Sequence, residues 1–483
     1  MTPLWSSAEA AAACRGMALG RGWTAQGVSI DTRSLQPGDL FVALTDQRDG
    51  HDFVVQAFEK GAAAALVSRV PDGLPAHAPL LLVGDTLTAL GLLAGRARSR
   101  CRARVVAVTG SVGKTSAKEM LRTALRLQGR THAAEQSYNN HWGVPLTLAR
   151  MHRETDFAVI EIGMNAPGEI APLARLAQPH VGLITTVAEV HLEAFGTIKG
   201  IAHEKAALAE GVLPGGRMVL NADIQTLPIL ERAARRRGLT ITTFGASGAA
   251  HVQLRQVALT ETATTVRTHF DGHEAFFKVG APGRHLAQNA LGVLAAVNAL
   301  GADPLRGALA LATWSPPEGR GSRWIVDLGP MGIDGRIQLI DESFNASPAA
   351  MSAALEVFAL STPEDGIGRV TRGRRIAFLA DMLELGRRSE ALHAALAREP
   401  ALDAIDLVHC AGPLMRALHE ALPQQKQGRW YPSTAALADD VRRLVDAGDV
   451  ALCKGSKGSQ VGRVVQAIKD LGSAQPADEQ RAE

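Results

Sequence analysis

Cysteine is scarce in this chain of 483 residues. Cys14, Cys101, Cys410 and Cys453 are scattered, and none forms a C-x-x-C pair. Neither a disulfide framework nor a zinc cluster is expected from that spacing, and a reducing cytoplasm fits it. Aromatic residues make up 4%, which argues against a stacking platform for single-stranded nucleic acid. An excess of one charge is also missing. The 51 basic and 48 acidic side chains leave a net charge of +3, so no nucleic-acid or membrane-surface footprint is expected. The run Arg235, Arg236, Arg237 reads as a solvated helix face. No apolar stretch reaches the roughly 18–20 residues of a membrane span. The opening MTPLWSSAEAAAACRG has no basic leader before an apolar run, so a signal peptide is not expected.

What is present is 46% hydrophobic residues, ample for buried cores in a chain of roughly two to four domains. Strand-like apolar runs alternate with helical patterns, the mark of an α/β protein. Three blocks are expected, at residues 1–102, 103–315 and 316–483. The first is a small α/β unit with SIDTRSLQPGDLFVAL turning into a strand, and it ends at the basic seam GRARSRCRAR. The second opens with the strand Arg104 to Val108 and continues with Phe157 to Ile162 and Val181 to Val187. These runs are continuous rather than alternating, as in buried parallel strands. Around Ala250 to Lys278 the pattern alternates and suggests a small antiparallel insertion, followed by a helix from about His285 to Leu300. WSPPEGRGSR breaks the pattern as a linker or hinge. The third block repeats strand and helix through RIQLID, RRIAFLAD, AIDLVHC and DVALCKG, a Rossmann-like set. The tail from Gly472 on is expected to be disordered.

The stretch AVTGSVGKTSAKE places Gly110, Ser111, Val112, Gly113, Lys114, Thr115 and Ser116 between a strand and a helix. Strand, glycine turn and helix start, in that order, make a cradle for phosphate. Gly113 lets the backbone approach, Lys114 offsets charge, and Thr115 can place a hydroxyl on Mg²⁺. Val108 stands where longer phosphate loops carry their first glycine. Ligands of open parallel sheets collect beyond the carboxyl ends of strands. Two further strand ends carry Glu161 and His191, a carboxylate and an imidazole suited to Mg²⁺ beside phosphates. Read singly, Glu161 is a strand-end acid and His191 a polar cap.

T-G-S-x-G-K-T-S resembles the shortened loop of the Mur ligases, ATP-dependent enzymes that build the cell-wall peptide. YNNHWGVPLTL resembles their substrate loop, with Asn139 and Asn140 as peptide contacts; a plain Asn turn is the alternative. GRHLAQNALGVLAA resembles their adenine-side helix, and His285 and Asn289 share one helix face. The resemblance implies that Lys205, fourteen positions after His191, is carbamylated and joins Thr115, Glu161 and His191 as a metal ligand; otherwise it is a helix-surface lysine. It also implies that Arg320 reaches ATP when the domains close, and that Asp341 and Asn345 lie near the nucleotide. Without it, Arg320 is a solvated linker residue and Asp341 an N-cap. SIDTRSLQPGDLFVAL and QRDGHDFVVQAFEKGAAAALV resemble the family's UDP-sugar-binding domain, with Asp31, Thr32, Arg33, Asp49 and His51 as contacts.

The family members that add a diamino acid carry a D-N-P-R type motif, absent here. FLADMLELGRRSEALH is similar to the L-G-D-M-x-E-L-G signature of members that add D-alanyl-D-alanine, with Ala380 in place of the usual glycine. KGSKGSQVGRVV departs from the usual arginine after K-G-S and the later glutamate. The implied substrates are ATP with Mg²⁺, a UDP-N-acetylmuramoyl-tripeptide and D-alanyl-D-alanine, in a cytoplasmic monomer with no nucleic-acid or membrane partner. Two alternatives stand beside this: a ligase adding a diamino acid to the dipeptide, and a non-catalytic nucleotide-binding scaffold.

Overall fold

The computed structural model describes residues 2–190, 192–329, 332–369 and 371–477. Three large sheets and a two-stranded ribbon of Trp5–Ser6 with Thr24–Ala25 organise the described residues. The N-terminal sheet has β1 (Met17–Leu19), β2 (Gly27–Ser29), β3 (Asp39–Val42), β4 (Ala64–Val67) and β5 (Leu80–Leu82), in the order β1-β5-β4-β3-β2. Only β1 runs antiparallel to its neighbour. β3 and β4 are buried at every position, which is why they read as unbroken apolar runs.

The middle sheet has β6 (Arg104–Thr109), β7 (Thr131–Ala133), β8 (Phe157–Glu161), β9 (Val181–Ile184), β10 (Arg217–Asn221), β11 (Thr240–Gly245), β12 (Val252–Leu259), β13 (Thr264–Phe270) and β14 (His273–Val279). The order is β14-β13-β12-β11-β10-β9-β6-β8-β7. The seven strands β6 to β12 are mutually parallel, and β13 and β14 are added by antiparallel pairing, β13 to β12 and β14 to β13. The segment expected as an insertion therefore extends this sheet rather than standing apart. Alternate residues of β6 enter opposite cores: Val105 and Ala107 on one face, Val106 and Val108 on the other. From β6 the chain moves first to one side, to β7 and β8, and then to the other, to β9. The carboxyl end of β6 is thus the switch point where such sheets bind ligands.

The third sheet has β15 (Ser322–Asp327), β16 (Arg336–Glu342), β17 (Arg375–Ala380), β18 (Leu407–Ala411), β19 (Gln427–Tyr431), β20 (Val450–Lys454) and β21 (Ser473–Pro476), in the order β19-β18-β17-β20-β16-β15-β21. β21 corrects the expectation of a disordered tail over Ser473–Pro476, while residues 478–483 lie outside the described residues. Its residues pair antiparallel with β15, Trp324 opposite Pro476 and Asp327 opposite Ser473. Polar SAQP carries no apolar signal, because an edge strand is held by backbone bonds rather than by its side chains.

The basic seam closes the first block as expected. It is the end of a helix, Thr86–Arg100. Arg98 is buried there and donates to the carbonyls of Ala177 and Gln178 on the middle block, and the Arg100 guanidinium lies 3.8 Å from the Trp5 ring centre. Arg235, Arg236 and Arg237 are exposed as expected. Among the described residues no helix is long and apolar enough to cross a membrane.

Candidate active site

The loop after β6 meets α1 (Lys114–Arg126) at Gly113, which has φ +86° and leaves the helix without a side-chain cap. A bare N-terminus of this length presents backbone N–H groups and the positive dipole end to an anion. A Cβ on Gly113 would lie 2.7 Å from Nδ2 of Asn289, and one on Gly110 would lie 1.9 Å from Oγ1 of Thr185. Both glycines are fixed by close approach. Val108 is a fully buried strand residue, so the position of the missing glycine belongs to the core and not to the cradle. Ser111 Oγ donates to the Ala188 carbonyl and accepts from the Ala188 N–H, and Thr185 Oγ1 donates to the Val112 carbonyl. The end of β9 thereby braces the loop.

On the other side, Glu161 ends β8 at 1% exposure. Its Oε1 accepts from Thr115 Oγ1 at 3.1 Å and from Asn139 Nδ2 at 2.8 Å. Its buried Oε2 has no hydrogen-bond partner. A carboxylate oxygen left bare next to a hydroxyl and a phosphate cradle suits a hard divalent cation. Among the described residues no three His, Cys, Asp or Glu side chains gather as a metal site. Mg²⁺ is commonly held by one or two carboxylates plus phosphate oxygens, so Glu161 and Thr115 fit that ion without a full protein cage. His191 lies outside the described residues.

Lys205 is 1% exposed on α2 (Ile198–Ala206), not on a helix surface. Among the described residues its one hydrogen bond is a 3.7 Å contact from Nζ to the Met164 sulfur. Burial, then the Lys114 charge, holds its amine well below the ordinary lysine range, against a smaller opposing pull from Glu204. Glu204 is engaged elsewhere, accepting from the N–H groups of Gly168 and Ile170. A neutral, buried primary amine is a nucleophile. Lys114 donates to the Gly110 carbonyl at 2.7 Å. Burial pulls its amine down, Glu161 pulls it back and Arg320 adds to the lowering.

α3 (Arg284–Ala299) and α4 (Pro348–Ala359) close the far side of a cavity of about 400 Å³. Ser111 through Ser116, Asn139, Asn140, Glu161, His285, Asn289, Arg320 and Asn345 all line it. Burial lowers His285 below the ordinary imidazole range. Asp341 is not brought there. It is 2% exposed and accepts from the Ser343 N–H, and its neighbour Glu342 faces the cavity instead. It is not the N-cap of α4 either, a place Ser347 takes. The sequence alone did not point to Glu342, Phe344, Lys454, Thr185 or Gln288, which also line the cavity. Lys454 Nζ bonds Glu342 Oε2 and the Asn345 carbonyl, each at 3.0 Å.

Asp31, Thr32, Arg33, Asp49 and His51 sit beyond the carboxyl ends of β2 and β3, away from this cavity. Their polar atoms are engaged with one another or with neighbouring residues. Asp31 pairs with Arg33 at 2.5 Å, and Thr32 Oγ1 donates to Gln56. His51 Nδ1 meets Asp49 at 2.6 Å, and its Nε2 accepts the Ser68 N–H at 2.9 Å. Tyr138, next to Asn139, packs onto the N-terminal core.

Three family models match the chain: the Mur ligase family catalytic domain over residues 24–98, the Mur ligase middle domain over 108–297, and the Mur ligase glutamate ligase domain over 331–457. A UDP-N-acetylmuramoyl-tripeptide–D-alanyl-D-alanine ligase of Bacillus subtilis (strain 168) is 35% identical over 92% of this chain and 93% of its own length. The chain belongs to the Mur ligase family. A crystal structure of MurF from Acinetobacter baumannii superposes with a TM-score of 0.80 at 25% identity, covering 96% of this chain and 99% of that one. The MurF ligase of Thermotoga maritima in complex with ADP gives 0.73 at 25% identity, over 92% and 97%.

The stretch FLADMLELG has a structural task here. Asp381 accepts the Met415 N–H at 2.8 Å, and a Cβ on Gly412 would press on its carboxylate at 2.5 Å. His393, fully buried, accepts the Met382 N–H at 2.9 Å. These bonds fix the loop after β17.

Proposed function

We propose that this chain is the Mur ligase that joins D-alanyl-D-alanine to UDP-N-acetylmuramoyl-tripeptide with cleavage of ATP to ADP and phosphate. The observation that carries the chemistry is the bare Glu161 Oε2 beside the Gly113–Lys114 cradle. The curated relative at 35% identity supports the choice of substrates. A carboxylate is a poor electrophile, so it is first phosphorylated. The tripeptide's terminal carboxylate attacks the γ-phosphate to give an acyl phosphate and ADP. The dipeptide amine then attacks the acyl carbon, and phosphate leaves. Positioning and charge neutralisation supply most of the rate.

In this reading the loop amides and Lys114 would hold the phosphates, and Thr115, Glu161, His191 and a carbamylated Lys205 would hold Mg²⁺. When bound, that ion would screen the phosphate charge from the incoming carboxylate. The deprotonated, buried Lys205 amine is the form that reacts with CO₂. Asn139 orients Glu161 through its 2.8 Å bond and offers its remaining polar atoms to the peptide. His285, Asn289 and Asn345 flank the nucleotide, and Arg320 meets the transferring phosphoryl group. We assign residues 1–102 to the UDP-sugar, 103–315 to ATP and 316–483 to the dipeptide, in a cytoplasmic monomer. Closure of the blocks over the cavity keeps water from the acyl phosphate.

Phosphate release by the purified protein tests the assignment. It should require ATP, Mg²⁺, UDP-N-acetylmuramoyl-tripeptide and D-alanyl-D-alanine together and yield the pentapeptide by mass. Turnover with the dipeptide precursor and a diamino acid instead would overturn it.

A further inference from the structure

Arg320 lies in the Pro/Gly segment between the second and third sheets, where a long cation would ordinarily be solvated. Here its backbone is bracketed. The Phe344 N–H donates to the Gly319 carbonyl at 3.0 Å, and the Gly321 N–H to the Asp341 carbonyl at 2.8 Å. The tight turn needs Gly319 and Gly321, with φ +74° and +103°. The segment therefore travels with the end of β16. The guanidinium is bracketed as well. Its carbon lies 3.9 Å from the centre of the Phe344 ring, and its Nη2 donates to Ser137 Oγ at 3.5 Å. Ser137 belongs to the other wall. Its Oγ is 3.3 Å from Thr115 Oγ1 on the phosphate loop. Lys118, fully buried, pins its loop by bonds to the carbonyls of Ala134 and Gln136.

We infer that Phe344 and Ser137 are positioning residues that hold Arg320 across the cleft, one from each wall, without neutralising it. This clamp rests on the ligase reading and on the guanidinium's choice of partners. A carboxylate at hydrogen-bond distance would compete with phosphate for the guanidinium. An aromatic face and a hydroxyl fix its plane and one edge while leaving its charge for the transferring phosphoryl group. Phe344 is only half-buried at the cavity wall, a costly place for an aromatic that serves packing alone. Ser137 reports closure: the Phe344 contact lies within the third block and its linker, whereas the Ser137 bond spans the two blocks.

The experiment compares kcat and KM for the parent enzyme, Phe344→Ala, Phe344→Leu, Phe344→Tyr, Ser137→Ala and Arg320→Ala, with the two Phe344→Ala and Arg320→Ala changes also combined. Phe344→Ala and Phe344→Leu should each lower kcat roughly ten- to thirtyfold with KM for ATP little changed. Phe344→Tyr should restore it, and Ser137→Ala should lose about three- to tenfold. On the Arg320→Ala background, Phe344→Ala should cost nothing further, because its effect runs through the missing guanidinium. Full rescue by leucine, or an undiminished cost on that background, overturns the clamp in favour of simple packing. A raised KM for ATP at unchanged kcat overturns it in favour of stacking on the base. An inactive parent enzyme removes the ligase reading itself and the clamp with it.

Discussion

At the carboxyl edge of the N-terminal sheet, His51 has both ring nitrogens engaged, Asp49 is shared between His51 and Arg69, and Asp31 is closed on Arg33. At the same edge of the middle sheet, Glu161 keeps a buried oxygen without a partner, and Lys205 is buried against a thioether. The two edges share a topology and differ in satisfaction. Buried polar groups normally find partners, so the first set holds loops in place by itself. The second set is incomplete until phosphate and a cation arrive. Under the proposed assignment, a sugar nucleotide at the first edge would have to use backbone groups, exposed atoms such as those of Arg33, or an exchange of partners. Phosphoryl transfer at the second edge meets groups already desolvated, where electrostatic interactions are strongest.

Breaking the second edge should have the largest effects. Lys114→Ala should lower kcat by about 10³ while circular dichroism shows an intact fold; near-parent turnover would remove the loop from the chemistry. Glu161→Gln keeps the bonds from Thr115 and Asn139 within reach but drops the charge. It should lose about 10² in rate and shift the Mg²⁺ titration to higher concentration. An unshifted titration would mean that the bare oxygen does not face the ion.

Lys205 sharpens the contrast through pH. Its amine is held below the ordinary range in the folded chain and is ordinary in the unfolded one. Between those two values the unfolded chain binds the extra proton, so the contribution of this group to stability rises with pH and is lost as pH falls. In CO₂-free buffer Lys205→Met should therefore be more stable than the parent near neutrality, with the gap closing toward about pH 10.5, and thermal unfolding checks it. The same variant should be roughly ten- to a hundredfold slower with CO₂ present. Parent-like activity would exclude a role for the modified amine. The smallest catalytic effect belongs to the satisfied edge. His51→Ala should cost about 1–3 kcal/mol of stability and leave kcat within about twofold. A large fall in kcat without loss of stability would reverse the comparison.

The legibility of the chain in its sequence follows the same division. Parallel strands buried on both faces print their apolar runs directly, so β6, β8, β9 and the third sheet's inner strands were readable. β7, β19 and β21 are short, polar or both, and backbone pairing holds them, so composition does not reveal them. The phosphate loop was readable because strand, glycines and helix are contiguous. Glu161 stood out as the acid at the end of a buried strand. Asp341 and Glu342 were not separable, since adjacent residues on a strand face opposite ways and the cavity side depends on the register of β16 against β20. Ser137 and Phe344 carry no motif chemistry of their own. Their importance comes from Arg320, which joins them only when the linker is folded.

The ligase reading stands or falls on phosphate release with each substrate omitted in turn. Release is expected only when UDP-N-acetylmuramoyl-tripeptide, D-alanyl-D-alanine, ATP and Mg²⁺ are all present, with the pentapeptide as product. ATP binding without turnover in any of these mixtures would contradict it and leave a nucleotide-binding scaffold.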